Sequence, residues 1–497
     1  MNRITILFLV LLLAGNTMAQ VNRDAYEAAR RRMQEQYDRS RQQAQQQYDD
    51  ARRKAEAEYA AFRKKANEEY AAAMQRAWVQ MGVQPAEPKP KEPAPPRPQK
   101  PAVDKLTTTV LLPQSTAAPA PAKPMPIPIP PIPEAAPEVP VMQFTMYGTS
   151  CVAHVDADKM SFRLSGLDEK SVAAAWKQLS QEKYDGMLHD CLAQREAIGL
   201  SDWGYVQLVG RMSDKLLGKG SNEAVLLQMY LLTQSGYRVR VGCSNNHLVL
   251  LVPFNRKVYN YSFVTIDGVK HYAITNDKLK GIRVCDVGFP REQVANIMMG
   301  NLPTLSDDKK RSRTVAAERF GTMKATVAVD EQLINYLNDY PLSDSWDYYA
   351  LAGLSDGVKA TLYPALQKQI EGKSKKKAAA MLLDFVQTGF DYATDQEQFG
   401  YERPLFGDES FYYPKNDCED RSILYSILVR DLLKLDVVLV NWPGHIATAV
   451  AFPEEVEGDY YEVDGRRFTI CDPTYIGAGV GATMPDFQSV SAKLVRL

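Results

Sequence analysis

Residues 417–435 read DCEDRSILYSILVRDLLKL, and this stretch decides the fold. Its apolar residues recur at helical spacing, so it predicts an amphipathic helix with Cys418 in the first turn. Residues 437–440 (VVLV) and 445–452 (HIATAVAF) are separated by a Pro-Gly pair, which predicts two strands joined by a tight turn. The pattern therefore indicates a helix followed by an antiparallel hairpin.

Three chemically reactive residues lie at the ends of these predicted elements. Cys418 opens the helix, His445 opens the second strand, and Asp472 ends a later hairpin whose turn is Asp464-Gly465. A free thiol has a pKa of roughly 8.5 and needs help to ionise. A helix N-terminus, an adjacent histidine and a carboxylate that fixes the histidine can each help. We predict that Cys418 is the nucleophile, His445 the base and Asp472 the orienting carboxylate.

Around these residues the chain resembles the transglutaminase-like superfamily of papain-like cysteine enzymes. The resemblance rests on the segments 417–420 (DCED), 443–447 (PGHIA) and 471–475 (CDPTY). It implies an α+β fold in which the Cys helix packs on an antiparallel sheet that carries the His and the Asp. It also implies acyl chemistry on amide bonds. We assign this catalytic domain to residues 311–497.

The donors that would stabilise an oxyanion are less well defined. The backbone N–H of Cys418 is the first candidate. Members of the superfamily often add a side-chain donor upstream of the nucleophile, and Gln398 is the tentative choice here, with Tyr412 and Tyr413 as alternatives. Trp442, close to the His, either walls the cleft or fills the core.

The sequence favours a peptidase or amidase that acts on protein or peptide substrates and needs no cofactor. A calcium loop of the DxDxDG kind is absent, which weakens the analogy with calcium-dependent cross-linking enzymes. The six cysteines show no CxxC spacing, so no metal site is predicted. Two alternatives stay open: a cross-linking transglutaminase, and a non-enzymatic peptide-binding scaffold.

Residues 141–310 show the same order of predicted elements: helix, strand, turn, strand and Asp-Gly hairpin. Aligning the helices places Asn222 opposite Cys418, and His247 falls opposite His445. An amide cannot act as a thiolate nucleophile. We therefore expect a duplicated fold whose first copy is degenerate and has lost its catalytic activity.

The third position of the first copy has two possible counterparts. If the Asp-Gly hairpins align without a gap, Thr275 lies opposite Asp472. If an insertion is allowed, Cys285-Asp286 matches Cys471-Asp472, and Asp286 takes that place.

The N-terminal part of the chain carries a repeat. Tyrosine recurs at every eleventh position from Tyr26 to Tyr70. An eleven-residue period corresponds to about 3.67 residues per helical turn, so these side chains share one stripe of a long helix over residues 20–82. A coiled coil, which would allow self-association, and a lone solvated helix are both compatible with this stripe.

The remaining segments indicate export and tethering. Residues 1–19 have the charged start, apolar run and small-residue end of a signal peptide, which predicts a periplasmic or secreted protein without a membrane span after signal removal. Residues 83–140 are rich in Pro and Ala and predict an extended linker. The net charge of −1 gives no general attraction to nucleic acid. The cysteines are expected to be buried thiols, with Cys243–Cys285 the one candidate disulfide.

Overall fold

The computed structural model describes residues 3–89, 109–114, 132, 138–156, 162–181, 184–306 and 309–497, with side chains described at residue 28 and from residue 30. The fold is mixed α+β, with twelve α-helices and several antiparallel sheets in the described residues. The chain divides into two compact units, Met1–Lys65 and Ala66–Leu497.

The long N-terminal helix α1 runs without interruption from Arg3 to Met74. In the first unit the repeat faces solvent, since Tyr37 and Tyr48 are each 63% exposed. In the second unit Tyr70 is buried, and its ring centroid lies 4.7 Å from that of Trp176. The predicted helix end at residue 82 is wrong, because the chain leaves the helix at Met74.

The first half of the second unit contains a two-stranded hairpin, a group of helices and a six-stranded sheet. Its strands are β1 (Trp78–Gly82), β2 (Val141–Met146), β3 (Thr149–His154), β4 (Arg240–Ser244), β5 (His247–Val252), β6 (Phe263–Ile266), β7 (Val269–Ala273) and β8 (Gly281–Cys285). Its helices are α2 (Glu169–Leu179), α3 (Asp185–Ile198), α4 (Asp202–Leu217) and α5 (Asn222–Gln234).

The second half again begins with a hairpin, continues with helices and ends with a sheet. Its strands are β9 (Lys310–Ala316), β10 (Lys324–Asp330), β11 (Val437–Trp442), β12 (His445–Val450), β13 (Tyr460–Val463), β14 (Arg466–Cys471) and β15 (Lys493–Arg496). Its helices are α6 (Glu331–Asn338), α7 (Trp346–Ala350), α8 (Asp356–Ile370), α9 (Lys375–Thr388), α10 (Asp395–Gln398), α11 (Glu409–Tyr412) and α12 (Cys418–Leu428). A π-helical turn, Val429–Leu433, extends α12.

The two large sheets have the same strand order. The first runs β8-β4-β5-β7-β6 and carries β1 as an additional edge strand, and the second runs β15-β11-β12-β14-β13. All neighbours pair antiparallel in both sheets. Helix α5 packs on β5, and α12 packs on β12. The strand order in the two halves is therefore the one that a duplicated fold predicts.

The predicted linker packs on the second unit wherever it is described. Leu112 is 2% exposed in the core of the second sheet, and its N–H donates to the Tyr460 carbonyl at 2.9 Å. Gln84 forms an antiparallel bridge with Phe263. These segments are thus part of the folded body, while 90–108, 115–131 and 133–137 of the predicted linker lie outside the described residues.

All six cysteines are free thiols, so the candidate Cys243–Cys285 disulfide is wrong. The pairing of β4 with β8 places Cys285 opposite Val241 and Cys243 opposite Arg283. Within the described part of the chain we find no helix that could span a membrane.

Candidate active site

Cys418 is the first residue of α12 and is 3% exposed. The helix is tied to the neighbouring strand because Ser422 Oγ donates to the Ile446 carbonyl on β12 at 2.9 Å. Arg421, also buried, donates to the Phe390 carbonyl at 2.7 Å. The start of α12 is therefore held against the strand that His445 opens.

The structure brings His445 and Asp472 together as predicted. His445 Nε2 lies 2.8 Å from Asp472 Oδ2, and both side chains are buried. The other carboxylate oxygen, Oδ1, accepts from the backbone N–H groups of Thr474 at 2.8 Å and Tyr475 at 3.2 Å. His445 Nδ1 is buried and has no hydrogen-bond partner among the described residues. One ring nitrogen is thus fixed by the carboxylate and the other remains available.

Two aromatic rings also hold the imidazole. Trp442 lies nearly parallel to it, with 5.7 Å between ring centroids, and Phe487 lies at 4.9 Å. Trp442 is 1% exposed and belongs to the core of the second sheet. It therefore packs in the core and does not wall a cleft.

Cys418 and His445 line the same cavity of about 530 Å³. Asp395 and Glu419 form its acidic side, and Lys89, from the first described segment of the predicted linker, also reaches it. The volume lies in the range of ordinary ligand pockets.

The environment of the thiol differs from the expected one. Cys418 Sγ lies 3.1 Å from Glu419 Oε2 and donates to it. Burial raises the pKa of Cys418 well above its usual value, and the charges of Glu419 and Asp417 raise it further, whereas the Ile446 N–H lowers it. The helix N-terminus does not outweigh these effects, so the pKa of Cys418 is raised where the sequence led us to expect that it is lowered.

Carboxyl groups crowd the start of α12. Burial, with repulsion from Asp420 and Glu419, raises the pKa of Asp395 to about 10. Burial and Glu419 raise the pKa of Asp420 to about 8, and burial likewise raises that of Asp417. Asp395, Asp417 and Glu419 place ligand oxygens within 4.8 Å of one another, a spacing that a hard cation could bridge. Protons shared among these carboxyls reduce the same repulsion, so we assign no metal.

The tentative oxyanion donor Gln398 is not among the residues that line the cavity. Its amide nitrogen donates to the Lys415 carbonyl at 3.0 Å, and its oxygen accepts from the Lys415 N–H at 3.2 Å. Gln396, two residues earlier and exposed, lines the cavity instead. The two glutamines lie two residues apart and therefore face different sides of α10, and only the packing of α10 distinguishes them.

The two alternative donors also lie away from the cavity. Tyr413 donates to Asn338 Oδ1 at 2.8 Å, and Arg311 lies over the Tyr412 ring at 5.0 Å. Neither tyrosine lines the cavity of Cys418 and His445.

Gln387 on α9 is a positioning residue that the sequence did not reveal. Its amide nitrogen donates to the carbonyls of Asp472 at 2.9 Å, Tyr475 at 2.8 Å and Ala478 at 3.2 Å. Its side chain is 1% exposed, so these contacts are protected from water. A glutamine in an apolar helical stretch carries no sequence signal for this role.

In the first half, Asn222 takes the position of Cys418 and forms a related contact, although its amide offers no thiol. Asn222, the first residue of α5, accepts from the Leu248 N–H at 2.8 Å, as the Cys418 sulfur faces the Ile446 N–H. His247, which opens β5, is exposed.

The register decides the third position. Phe263 pairs with Tyr272 and Tyr460 with Thr469, which places Thr275 opposite Asp472. Cys285 ends β8, the counterpart of β15 and not of β14, so Asp286 is not the counterpart of Asp472. The ungapped alignment is therefore the one that the structure supports.

A comparison of the chain with known protein families, with curated proteins and with solved structures finds no match.

Proposed function

We propose that the second half is a papain-like, transglutaminase-type enzyme that attacks amide bonds of peptide or protein substrates through Cys418, His445 and Asp472. The observation that carries the proposal is the geometry of His445. Its Nε2 is bonded to Asp472, while its buried Nδ1 has no partner among the described residues and its ring lines the cavity of Cys418. This is the arrangement that a general base for a neighbouring nucleophile requires.

The raised pKa of Cys418 determines how the reaction would proceed. Because the raised pKa favours the protonated thiol, His445 Nδ1 takes its proton as the sulfur attacks the amide carbonyl. The C–N bond then breaks, and the imidazolium gives the proton to the leaving amine. Water, activated by His445, hydrolyses the thioester and regenerates the thiol. The Cys418 N–H, and the Gln396 amide if its side chain turns inward, would stabilise the oxyanion.

Two other outcomes compete with hydrolysis. A lysine amine in place of water as acyl acceptor would make the protein a cross-linking enzyme. A non-enzymatic peptide-binding scaffold is favoured by one observation, the Cys418 thiol held by Glu419 with its pKa raised.

We also propose that the two halves arose by duplication and that the first has lost its chemistry. Support comes from the shared strand order and from the equivalent contacts of Asn222 and Cys418. On the strength of the apolar N-terminal segment we propose that the protein acts outside the cytoplasm.

A peptide electrophile tests the activity. The full chain carrying Cys243→Ser, which removes the one half-exposed thiol, is treated at pH 7.5 with a tripeptide chloromethyl ketone, and the adduct is located by mass spectrometry. We expect a single adduct on Cys418 whose rate falls by more than about 100-fold in Asp472→Asn and in His445→Ala, since both disable the base.

Labelling of Cys418 at the same rate in His445→Ala would contradict the proposal. Peptide binding without any adduct on Cys418 would favour the scaffold.

A further inference from the structure

A second cavity adjoins the one that contains Cys418. Its volume is about 540 Å³, and it shares Asn260, Leu342 and Tyr401 with the first cavity. Both halves of the second unit line it, the first with Trp203 and others. The shared residues make the two cavities neighbours along one cleft.

Aromatic rings form part of the wall of this second cavity, beside polar side chains such as Gln207 and Asn338. The Trp203 ring lies 6.1 Å from that of Tyr261, and both residues line the cavity together with Phe406. Tyr401 stands at the boundary with 51% of its surface exposed. Such a wall suits a large apolar or aromatic side chain, since ring pairs contribute beyond the buried area.

The protein's own chain shows what the rim of this cleft can bind. Gln84 and Phe263 exchange backbone hydrogen bonds of 2.8 and 3.1 Å, and the Asn260 N–H donates to the Glu87 carbonyl at 2.9 Å. The following residue pair, 88–89, lines the cavity of the thiol. An extended polypeptide thus lies along the rim, held by its main chain, which is the principle of strand addition.

Asn260 lies where the two cavities meet. Its backbone is left-handed, with φ 66°, and its side chain is exposed. The side-chain amide makes no hydrogen bond to any described residue, which leaves a donor and an acceptor for a peptide backbone.

We propose that the two cavities form one groove for an extended polypeptide. The scissile bond lies at Cys418, and a large apolar or aromatic side chain enters the cavity walled by Trp203 and Tyr261. Tyr401 separates the two subsites. The first half, without chemistry of its own, supplies the specificity. This inference rests on the proposed function, because the thiol cavity is taken as the place of reaction.

Peptide binding to the full chain carrying Cys418→Ala tests the groove without acylation, because this variant lacks the thiol. Fluorescein-labelled hexaglycine is compared, by anisotropy, with hexapeptides in which one Phe is moved through the Gly positions. We expect one Phe position to lower Kd by about tenfold, the equivalent of one buried ring contact. Adding Tyr401→Ala should remove that gain. Tyr37→Ala, which replaces an exposed tyrosine outside both cavities, should keep it.

Equal Kd values for all peptides would contradict the proposed groove. Equal effects of Tyr401→Ala and Tyr37→Ala on Kd would contradict it as well. If chitotetraose displaces the Phe peptide and binds more tightly, the groove binds a glycan and the polypeptide proposal is wrong. If Cys418 is not alkylated but the protein still binds peptides selectively, the proposed enzymatic activity is refuted and the groove is not.

Discussion

At the scale of single residues, the site sets a thiol and several carboxyl groups in a small buried volume. Asp417, Glu419 and Asp420 follow one another around the first turn of α12, where a helix N-terminus favours negative charge. Burial has the opposite effect on Asp417 and Asp420 and raises the pKa of both, because removing a charged group from water costs more than the helix terminus returns. The same balance raises the pKa of Cys418 well above its usual value.

Asp395 gives this balance a measurable consequence for stability. Its pKa of about 10 in the folded protein lies far above the value of roughly 3.9 in an unfolded chain. Between these values only the folded state holds the proton, so the free energy of unfolding falls as pH rises, by about 1.4 kcal/mol per pH unit for one proton. The stabilisation is complete below about pH 4 and is lost as pH rises through about 10.

We predict that Asp395→Asn, which keeps an oxygen for the Arg403 N–H, flattens the pH dependence and raises Tm above that of the parent chain at pH 8.5. Thermal unfolding from pH 5 to 9 checks this. Asp436→Asn, at an exposed position, is the control and should leave the slope unchanged. Parallel pH profiles for the Asp395 variant and the parent would contradict the assignment.

At the scale of elements, the loop after β14 holds Asp472 in place. Gln387 binds three of its carbonyls, and the loop returns to β13 where Gly481 crosses Gly458. The Asp459 N–H donates to the Gly481 carbonyl at 2.7 Å, so the two backbones are too close for a side chain on either glycine. Asp472 is therefore positioned by packing as well as by its own bonds.

A comparison of Gly458 with Gly465 distinguishes the cost of a close backbone contact from the cost of backbone strain alone. Both have positive φ, but a Cβ at Gly458 would strike the backbone of Gly481, whereas none would be met at Gly465. We predict that Gly465→Ala costs about 1 kcal/mol and Gly458→Ala more than about 3 kcal/mol of unfolding free energy. Denaturant unfolding measures both, and equal losses would contradict the crossing.

At the scale of the whole molecule, the second unit begins at Ala66, well before residue 141. Strand β1 pairs along its length with β8, from Trp78 with Cys285 to Gly82 with Gly281. The Trp176 indole donates to Asn67 at 3.0 Å. A chain that begins near residue 141 would lack all of these contacts.

We predict that a chain truncated to start at Ala66 keeps the Tm of the full protein, whereas one starting at residue 141 unfolds at a far lower temperature or aggregates. The loss of Tyr70 from the core alone costs about 3–5 kcal/mol, by the measure of other buried aromatic side chains. Calorimetry on both chains is the measurement. Equal Tm values for the two truncated chains would show that β1 and Tyr70 do not contribute to the stability of the second unit.

The local features were readable from the sequence because each depends on neighbouring residues. The helix that begins at Cys418 follows from apolar spacing, and the hairpin at 464–465 follows from Asp-Gly, whose positive φ values of 53° and 70° fit a tight hairpin turn. The contact between His445 and Asp472 was predicted from motifs at the ends of these elements, but the long-range pairing of β12 with β14 brings the two residues together.

Only the tertiary structure decided the features that depend on distant residues. Packing between residues far apart in sequence determines that Gln396 and not Gln398 lines the cavity and that Lys89 reaches it. The burial that raises the pKa of Cys418 has the same origin. Long-range register also decided that Thr275 corresponds to Asp472. The physical reason is that helix and turn signals act over a few residues, whereas burial and charge repulsion depend on how the whole chain packs.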